Sequence, residues 1–383
     1  SPCGHSSPLS ASRRKGWSAK RASLEASPRF SIHCLEAVFP AKDSDPMATL
    51  SPCHHRHASR MPLRASRRVW QAAAAVAVLF GLCEGRVGSA QTPEAAGPEQ
   101  DSVSTSDGVG LALWYYPSAS EEAVATVILV HDLEGSHATL EPLALGLQAA
   151  GFSVVAPDLR GHGDSTTREW PTGRTETLEA NRLLKADLEA VAVSRGGRVR
   201  EQARLRGDLE SVYGWIRRTA RSDQRLDPSR LCLVGSGLGG TLASLWSAAD
   251  AAWPPLASGP QGGNVRAVCL ISPVFALKGA TIGPALQTPA VSRELPLLIL
   301  AGERDRDAAR VFGQLKRARP DAWFEQKLDG SSDKASGVEN PTTDASLFLL
   351  SYRTGEKADA LATAGVQTFV PLLADFFATQ LNR

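Results

Sequence analysis

Short apolar runs and amphipathic segments alternate along residues 106–383, as they do in α/β proteins. Continuous apolar runs predict strands that are buried on both faces, and stripes with a helical period predict the helices that cover them. The predicted strands are Val109–Tyr116 (at an edge), Ala125–Val130, Ser153–Ala156, Leu231–Val234, Val265–Ile271, Leu295–Ala301 and Trp323–Leu328; the predicted helices are Leu140–Ala150, Leu238–Ala249, Ala308–Arg319 and Thr363–Leu381, the last with a bend near Pro371. The alternation predicts a mostly parallel central sheet with helices on both faces.

A lid over such a sheet has little room in this chain. Only about 23 residues separate the predicted strands that end at Ile271 and begin at Leu295, which is short for a lid domain. The lid is therefore predicted to be small or absent. Residues 167–225, which carry two helical segments in series, are the alternative cover for a pocket.

The first ninety residues differ in composition from the rest. Residues 1–60 show no sustained apolar period and are predicted to be a disordered or untranslated leader. Residues 61–90 follow the plan of a signal peptide: three arginines after Met61, an apolar run from Ala72 to Cys83, and small residues before Gln91. The run is shorter than the ~20 residues of a membrane span. The sequence predicts cleavage and export, to the periplasm, the cell envelope or the medium, with an uncleaved anchor as the alternative.

The mature chain then begins with residues 91–105, which are rich in Pro, Gly, Glu and Ser and are predicted to be a linker to the domain at 106–383. Setting the leader apart changes the charge of the protein. Residues 1–90 hold 13 Lys/Arg against 5 Asp/Glu, a net charge of +8, whereas residues 91–383 carry −6. A domain of −6 offers no general attraction for nucleic acid. No membrane span is predicted in the mature chain.

Two cysteines remain in that chain, Cys232 and Cys269. Both lie in predicted buried strands, and free cysteine is among the most buried of residue types. They are predicted to be buried thiols, with a disulfide as the alternative in an exported protein.

Four motifs follow one another along the domain, at Val127–Ser136, Gly151–Ser165, Leu233–Gly240 and Leu297–Asp305. The stretch Asp-Leu-Arg-Gly-His-Gly-Asp-Ser at 158–165 is the most specific. In order and spacing they resemble the α/β-hydrolase superfamily, nearest to its serine aminopeptidase and monoacylglycerol lipase-like branch. The resemblance implies the α/β-hydrolase fold and a site in which a Ser nucleophile, an Asp and a His follow in that order.

The nucleophile position of that site is altered. In the family the nucleophile is the central residue of Gly-x-Ser-x-Gly, on a tight turn between a strand and a helix. The matching frame here is Gly235–Gly239, which places Gly237 at the centre. Ser236 lies one position early, and shifting the frame puts Val234 and Leu238 where the outer glycines belong. Ser236 remains a candidate substitute nucleophile.

The acid position is retained at Asp305, after the strand Leu295–Ala301. The family's histidine is expected in the loop after the next predicted strand, at or near Asp333. All eight histidines, however, precede residue 163. Because the base must follow the acid in this family's order, the chain has no histidine for that role.

The oxyanion position is altered as well. The resemblance expects His-Gly after the strand Ala125–Val130, and the chain has His131-Asp132. An oxyanion pocket built from Asp132, Leu133 and Leu238 would present backbone N–H groups to a developing negative charge. The Asp132 carboxylate would oppose that charge if it faced the pocket, and would be harmless if it faced solvent.

These losses predict a pseudoenzyme of the hydrolase fold that binds a small ligand or a protein partner. The signal peptide predicts that it is exported, and no cofactor is predicted. The alternative is an active esterase, lipase or aminopeptidase with a displaced constellation, such as Ser236 with Asp333. A third hypothesis is a Mg²⁺, Ca²⁺ or phosphate site at Asp132, Asp305 and Asp333. Because their spacing is not diagnostic, no metal ligand is assigned.

Overall fold

The computed structural model describes residues 96–120, 122–192, 207–255, 257, 259, 261–328 and 345–382. The predicted leader at 1–60, the predicted signal peptide at 61–90 and the candidate Asp333 lie outside these residues. The described part covers most of the domain predicted over residues 106–383.

Nine of the strands in this part form one central sheet, and the other four form two short hairpins. In chain order they are β1 (Glu99–Ser104), β2 (Gly110–Tyr116), β3 (Thr126–Val130), β4 (Ser153–Pro157), β5 (Thr167–Glu169), β6 (Thr175–Thr177), β7 (Leu231–Ser236), β8 (Val265–Ile271), β9 (Ala276–Leu277), β10 (Ala280–Thr281), β11 (Leu297–Gly302), β12 (Trp323–Leu328) and β13 (Leu347–Tyr352). The spatial order is β1-β2-β4-β3-β7-β8-β11-β13-β12. From β4 to β12 every neighbouring pair is parallel, and β2 pairs antiparallel with both β1 and β4.

Helices cover both faces of the sheet. The α-helices of the described residues are α1 (His137–Ala149), α2 (Lys185–Ala192), α3 (Asp208–Thr219), α4 (Leu238–Ala251), α5 (Gly283–Gln287), α6 (Arg306–Ala318), α7 (Ala358–Ala364) and α8 (Val366–Leu381). Helices α1, α7 and α8 pack on one face, and α2, α3, α4 and α6 pack on the other. The predicted architecture, a mostly parallel sheet with helices on both faces, is confirmed.

One edge of the sheet differs from the prediction. The strand predicted at Val109–Tyr116 is present as β2, but it is not an edge strand, because β1 pairs along its outer side. The linker predicted over residues 91–105 is therefore wrong for Glu99–Ser104. The segment is polar because it is an exposed edge strand in which only Val103 is buried, so its apolar pattern is too weak to reveal it.

The sequence offers two connections as cover for the sheet's carboxyl edge, residues 272–296 and residues 158–230. Between β8 and β11 lie only the β9–β10 hairpin, α5 and one π-helical turn, so the predicted lid is indeed small. Between β4 and β7 lie the β5–β6 hairpin, α2 and α3. Lys278 connects the two segments by donating to the carbonyl oxygens of Ala180 (3.0 Å) and Asn181 (2.8 Å).

The C-terminal helix predicted from Thr363 to Leu381 is two helices, which meet at Gly365 with a bend of 93°. Pro371, near which the sequence predicts a bend, lies inside α8, and the sharp break comes before that helix. Gly365 allows the chain to turn here with the Phe369 ring packed against its backbone. A Cβ at position 365 would lie 2.6 Å from the nearest atom of that ring. Among the described residues, no single helix is long and apolar enough to span a membrane.

A buried charge cluster joins the segment between β4 and β7 to the sheet. Arg160 is 1% exposed, and its guanidinium donates to both carboxylate oxygens of Asp208, which is also 1% exposed. The same guanidinium donates to Asp107 at 2.9 and 3.2 Å. Arg160 thus joins the β1–β2 turn, the loop after β4 and the start of α3.

Cys232 and Cys269 are free and fully buried, as expected for thiols on central strands. Burial raises the pKa of both thiols well above the ordinary value. Neither thiol is activated for chemistry at neutral pH.

Candidate functional site

A sharp turn between β7 and α4 forms the centre of the site. Gly237 is the only residue between the strand and the helix, and it has a φ of 52° and a ψ of −118°. Glycine takes such a backbone conformation without the strain that a Cβ would add. Gly235 and Gly240 allow the strand and the helix to pack closely, because a Cβ on Gly235 would lie 2.6 Å from the Cα of Gly240. The strand–turn–helix expected for the nucleophile position is present.

The Asp132 side chain points into this turn. Its Oδ1 accepts a hydrogen bond of 2.6 Å from the backbone N–H of Leu238, the first residue of α4. Burial raises the pKa of the Asp132 carboxyl above its ordinary value and Asp359 adds to the rise, while hydrogen bonds from the backbone of Leu238 and Leu133 oppose it. These are the two backbone groups expected to line the oxyanion pocket. The sequence left the direction of the Asp132 side chain open, and in the structure its carboxylate is directed at the N-terminus of α4.

Asp132 also occupies the space of a nucleophile side chain. A Cβ built on Gly237 overlaps the carboxylate of Asp132. No side chain at position 237 can therefore coexist with Asp132 in its present place. The glycine at position 237 therefore makes room for the Asp132 carboxylate.

Ser236, the candidate substitute nucleophile, is the last residue of β7 and is fully buried. Its Oγ has no hydrogen-bond partner among the described residues. A serine becomes an effective nucleophile through a base within hydrogen-bond reach. No such base contacts Ser236 in this part of the chain.

Asp305 is placed where the sequence predicts the acid, directly after β11. Its Oδ1 accepts hydrogen bonds of 3.1 Å from the backbone N–H groups of Asp307 and Ala308. This is the geometry of a helix N-cap, which stabilises the start of α6. The carboxylate at the acid position thus has a structural role of its own.

The histidine position is affected by a strand that sequence reasoning missed. The sequence predicts the family's histidine in the loop after the next strand along the chain, Trp323–Leu328, at or near Asp333, but a further strand, β13, follows that one. In the sheet, β13 lies beside β11, and β12 is displaced to the edge. The chain leaves β13 at Tyr352 and reaches Asp359 in the first turn of α7.

Asp359 contacts the loop that carries Asp132. Its carboxylate accepts the backbone N–H of Asp132 at 3.1 and 3.3 Å and the hydroxyl of Thr139 at 2.8 Å. Thr363, one turn later, donates to the carbonyl oxygen of Thr139 at 3.0 Å. Helix α7 is thus bonded to the oxyanion loop through Asp359. No sequence motif marked this residue, because the contact joins positions 227 residues apart.

The two histidines near the site hold loops together. The Nε2 of His131 accepts the N–H of Leu159 at 3.0 Å, and its Nδ1 donates to its neighbour's carbonyl oxygen, that of Asp132, at 2.7 Å. Burial lowers the pKa of His131 to about 4, so the ring is neutral at pH 7. His162 bonds through Nδ1 to the carbonyl oxygen of Arg160, and burial lowers its pKa too. Neither imidazole is hydrogen-bonded to Ser236.

The third hypothesis finds no geometric support in the described residues, which hold no group of three or more His, Cys, Asp or Glu side chains suited to a metal. Asp305 caps α6 and Asp132 bonds to α4, so these two carboxylates serve different helices. Asp333 lies outside the described part.

Comparison with known proteins identifies a family and distant relatives. The model of the alpha/beta hydrolase family matches residues 127–377. The uncharacterized protein Rv2307c of Mycobacterium tuberculosis is 27% identical over 141 residues, a segment that spans 37% of this chain and 38% of that protein.

Two solved structures have similar folds at low identity. The esterase Pf2001 of Pyrococcus furiosus is 13% identical, with a TM-score of 0.44 over 73% of this chain and 91% of its own. An S-formylglutathione hydrolase of Agrobacterium tumefaciens is 16% identical, with a TM-score of 0.45 over 75% and 97%. The family match covers most of the chain, from β3 to the last helix, and includes the turn at Gly237. The chain therefore belongs to the alpha/beta hydrolase family.

Proposed function

We propose that this protein is a non-catalytic member of the family, a pseudoenzyme that binds a small ligand or a protein partner. The observation that carries the proposal is the Asp132 carboxylate on the N–H of Leu238, beside a glycine at the nucleophile position. The family's reaction needs a serine at Gly237 and free N–H donors for the negative charge of its intermediate. Here the serine is absent and the donors are bonded to an anion.

The electrostatics of the site support the same proposal. A carboxylate in the oxyanion pocket repels the charge that develops on a substrate carbonyl, so it raises the barrier that the pocket would otherwise lower. The chain also has no histidine after residue 162 to serve as the base. Loss of triad members leaves only a weak residual rate, about 10³–10⁴ over water, and part of that comes from an open oxyanion pocket.

The nearest branch of the family remains the one that the motifs indicate, the serine aminopeptidase and monoacylglycerol lipase-like branch, and it forms part of the proposal. An active hydrolase that uses Ser236 is the alternative. The buried, unpartnered Oγ of Ser236 weighs against that alternative.

Treating residues 91–383 with a fluorophosphonate probe, and assaying short acyl esters, tests the proposal. We expect no labelling and no turnover above the buffer rate, while an active serine hydrolase under the same conditions labels fully. The matched variant is Ser236→Ala. Labelling that disappears in this variant would establish the alternative and refute the proposal.

We further propose that the protein is exported and that its mature chain begins at Gln91, on the pattern of residues 61–90. Expression of the chain from Met61 in a bacterial host should give a periplasmic or secreted product. Its intact mass should correspond to a start at Gln91. A membrane-bound product of full mass would indicate an uncleaved anchor, and a cytoplasmic product would contradict export.

A further inference from the structure

Five arginines gather at the amino edge of the sheet, at the opposite end of the strands from the candidate site. This arginine cluster consists of Arg217 and Arg218 in the last turn of α3, Arg221 in the turn that follows, Arg230 directly before β7, and Arg266, the second residue of β8. Four of them are exposed and Arg230 is half-buried. Among the described residues, none of the five forms an ion pair with a carboxylate.

Contacts around the loop before β7 bring these arginines together. The guanidinium of Arg217 lies 6.0 Å from the centre of the Tyr213 ring, and the Tyr213 hydroxyl reaches the carbonyl oxygen of Pro228 at 3.5 Å. From the β8 side, Nε of Arg266 donates to the carbonyl oxygen of Ser229 at 3.1 Å. The end of α3, the loop and the start of β8 therefore present their cations on one surface.

The dipole of α3 accounts for only part of this charge. Cations in the last turn of a helix are stabilised by its negative C-terminal end, which explains the two arginines within α3. The other three lie in a turn, directly before β7 and in β8. Residues 214–230 hold five arginines against two aspartates, although residues 91–383 carry a net charge of −6. Positive charge is thus concentrated at one edge of an acidic domain.

The two aspartates of this segment are already bonded to other groups. Asp223 accepts hydrogen bonds of 2.9 Å from the guanidinium of Arg225 and from the hydroxyl of Tyr115. Asp227 accepts the backbone N–H and the hydroxyl of Ser229 at 2.8 and 2.6 Å. The arginine cluster therefore keeps its charge for an external anion.

We propose that the arginine cluster is a docking surface for a lipid bilayer that contains anionic phospholipid. A guanidinium binds phosphate oxygens through two parallel hydrogen bonds. Each Arg or Lys near an anionic bilayer strengthens association by roughly fivefold, so several on one surface give a reversible attachment.

The surroundings of the cluster favour a bilayer over a nucleic acid. Proteins that bind single strands stack the bases on exposed aromatic side chains, whereas Tyr213 and Trp215 of α3 are buried. A long polyanion that extended beyond the cluster would also meet the negative charge of the rest of the domain. A flat bilayer touches one edge only.

Docking at this edge sets the orientation of the domain. Strand β7 begins at Leu231, next to Arg230, and ends at Ser236, roughly 17 Å away at ~3.3 Å per residue. The turn at Gly237 and the Asp132 carboxylate lie at that far end. The candidate site therefore faces away from the bilayer, where a soluble ligand or protein partner reaches it.

The test is co-sedimentation of residues 91–383 with vesicles. This part of the chain contains every residue that the structure describes, and it omits the basic and apolar leader, which would bind vesicles by itself. The vesicles are phosphatidylcholine alone, or phosphatidylcholine with phosphatidylglycerol at about 2:1. Each is measured at ionic strengths of about 0.05 and 0.15 M.

Two triple variants remove the same charge from opposite ends of the sheet. The cluster variant combines Arg218→Gln, Arg221→Gln and Arg266→Gln. The control variant combines Arg304→Gln, Arg306→Gln and Arg353→Gln, at three exposed positions that follow β11 and β13 at the carboxyl edge. If the cluster variant fails to fold, the double variant Arg218→Gln/Arg221→Gln takes its place.

We expect the wild type to bind the anionic vesicles about tenfold or more tightly than phosphatidylcholine alone, and to bind them more weakly at the higher ionic strength. The cluster variant should lose about tenfold or more in affinity for the anionic vesicles, and the control variant should stay within about threefold of the wild type. No preference for anionic vesicles, or equal losses in the two triple variants, would overturn the proposal.

Hydrogen exchange on the anionic vesicles identifies the face that docks. The backbone amides of residues 217–230 should exchange more slowly than in the free protein, and those of the loops after β11 and β13 should be unchanged. Protection at the carboxyl edge instead would contradict docking through the arginine cluster. Tighter binding to a DNA duplex than to the anionic vesicles, lost in the cluster variant, would assign the surface to nucleic acid and refute the proposal.

Discussion

Gly237→Ser should lower the free energy of unfolding by about 2–6 kcal/mol, although it restores the residue type that the family has at this position. Two effects add. The new Cβ overlaps the Asp132 carboxylate, and overpacking of this kind costs about 1–3 kcal/mol. A side chain at a φ of 52° and a ψ of −118° adds backbone strain of about 1–3 kcal/mol. Urea denaturation of the variant and the wild type at pH 7.5 measures the loss.

A double-mutant cycle identifies the cause. In the Asp132→Gly background the overlap is absent, so the penalty of Gly237→Ser should shrink to the backbone strain alone. The matched control is Gly313→Ser in α6, where a Cβ would meet nothing within 4 Å; this change should cost less than about 0.5 kcal/mol. If the penalty at position 237 were the same with and without Asp132, the steric account would be wrong.

Asp208→Ala should lower the free energy of unfolding by about 3–5 kcal/mol, the range for breaking a buried ion pair from one side. Arg160 and Asp208 are both 1% exposed, and the arginine donates two hydrogen bonds to this carboxylate. Removing Asp208 leaves a buried guanidinium whose remaining carboxylate partner among the described residues is Asp107, with a side chain that is 36% exposed. The same denaturation experiment measures the effect, with hydrogen exchange of α3 as a local readout.

Glu179→Ala is the control for this prediction. Glu179 forms an ion pair of 3.1 Å with Arg182, and both side chains are largely exposed. Such surface pairs contribute about 0–1 kcal/mol, so this variant should be close to the wild type. Similar losses for both variants would mean that burial does not set the value of the Arg160–Asp208 pair.

The strands of the sheet were largely predictable because most are continuous apolar runs, which a strand buried on both faces requires. Two strands of this sheet, β1 and β13, were missed for different reasons. Strand β1 is exposed along most of its length, so it carries no apolar signal. Strand β13 is a short apolar run, and periodicity alone cannot distinguish such a run from a buried helix segment. The order β11-β13-β12 follows from neither run, since pairing joins distant parts of the chain.

The candidate site could also be predicted only in part from the sequence. The sequence by itself determined what the site lacks: a glycine stands at position 237, and no histidine follows residue 162. These are statements about composition and order, which need no coordinates. The tertiary structure alone decided what replaces the missing groups. Asp132 faces Leu238 and bonds to Asp359 because loops after β3, β7 and β13 meet at one edge of the sheet, and side-chain direction at such a meeting point depends on contacts between residues far apart in the chain.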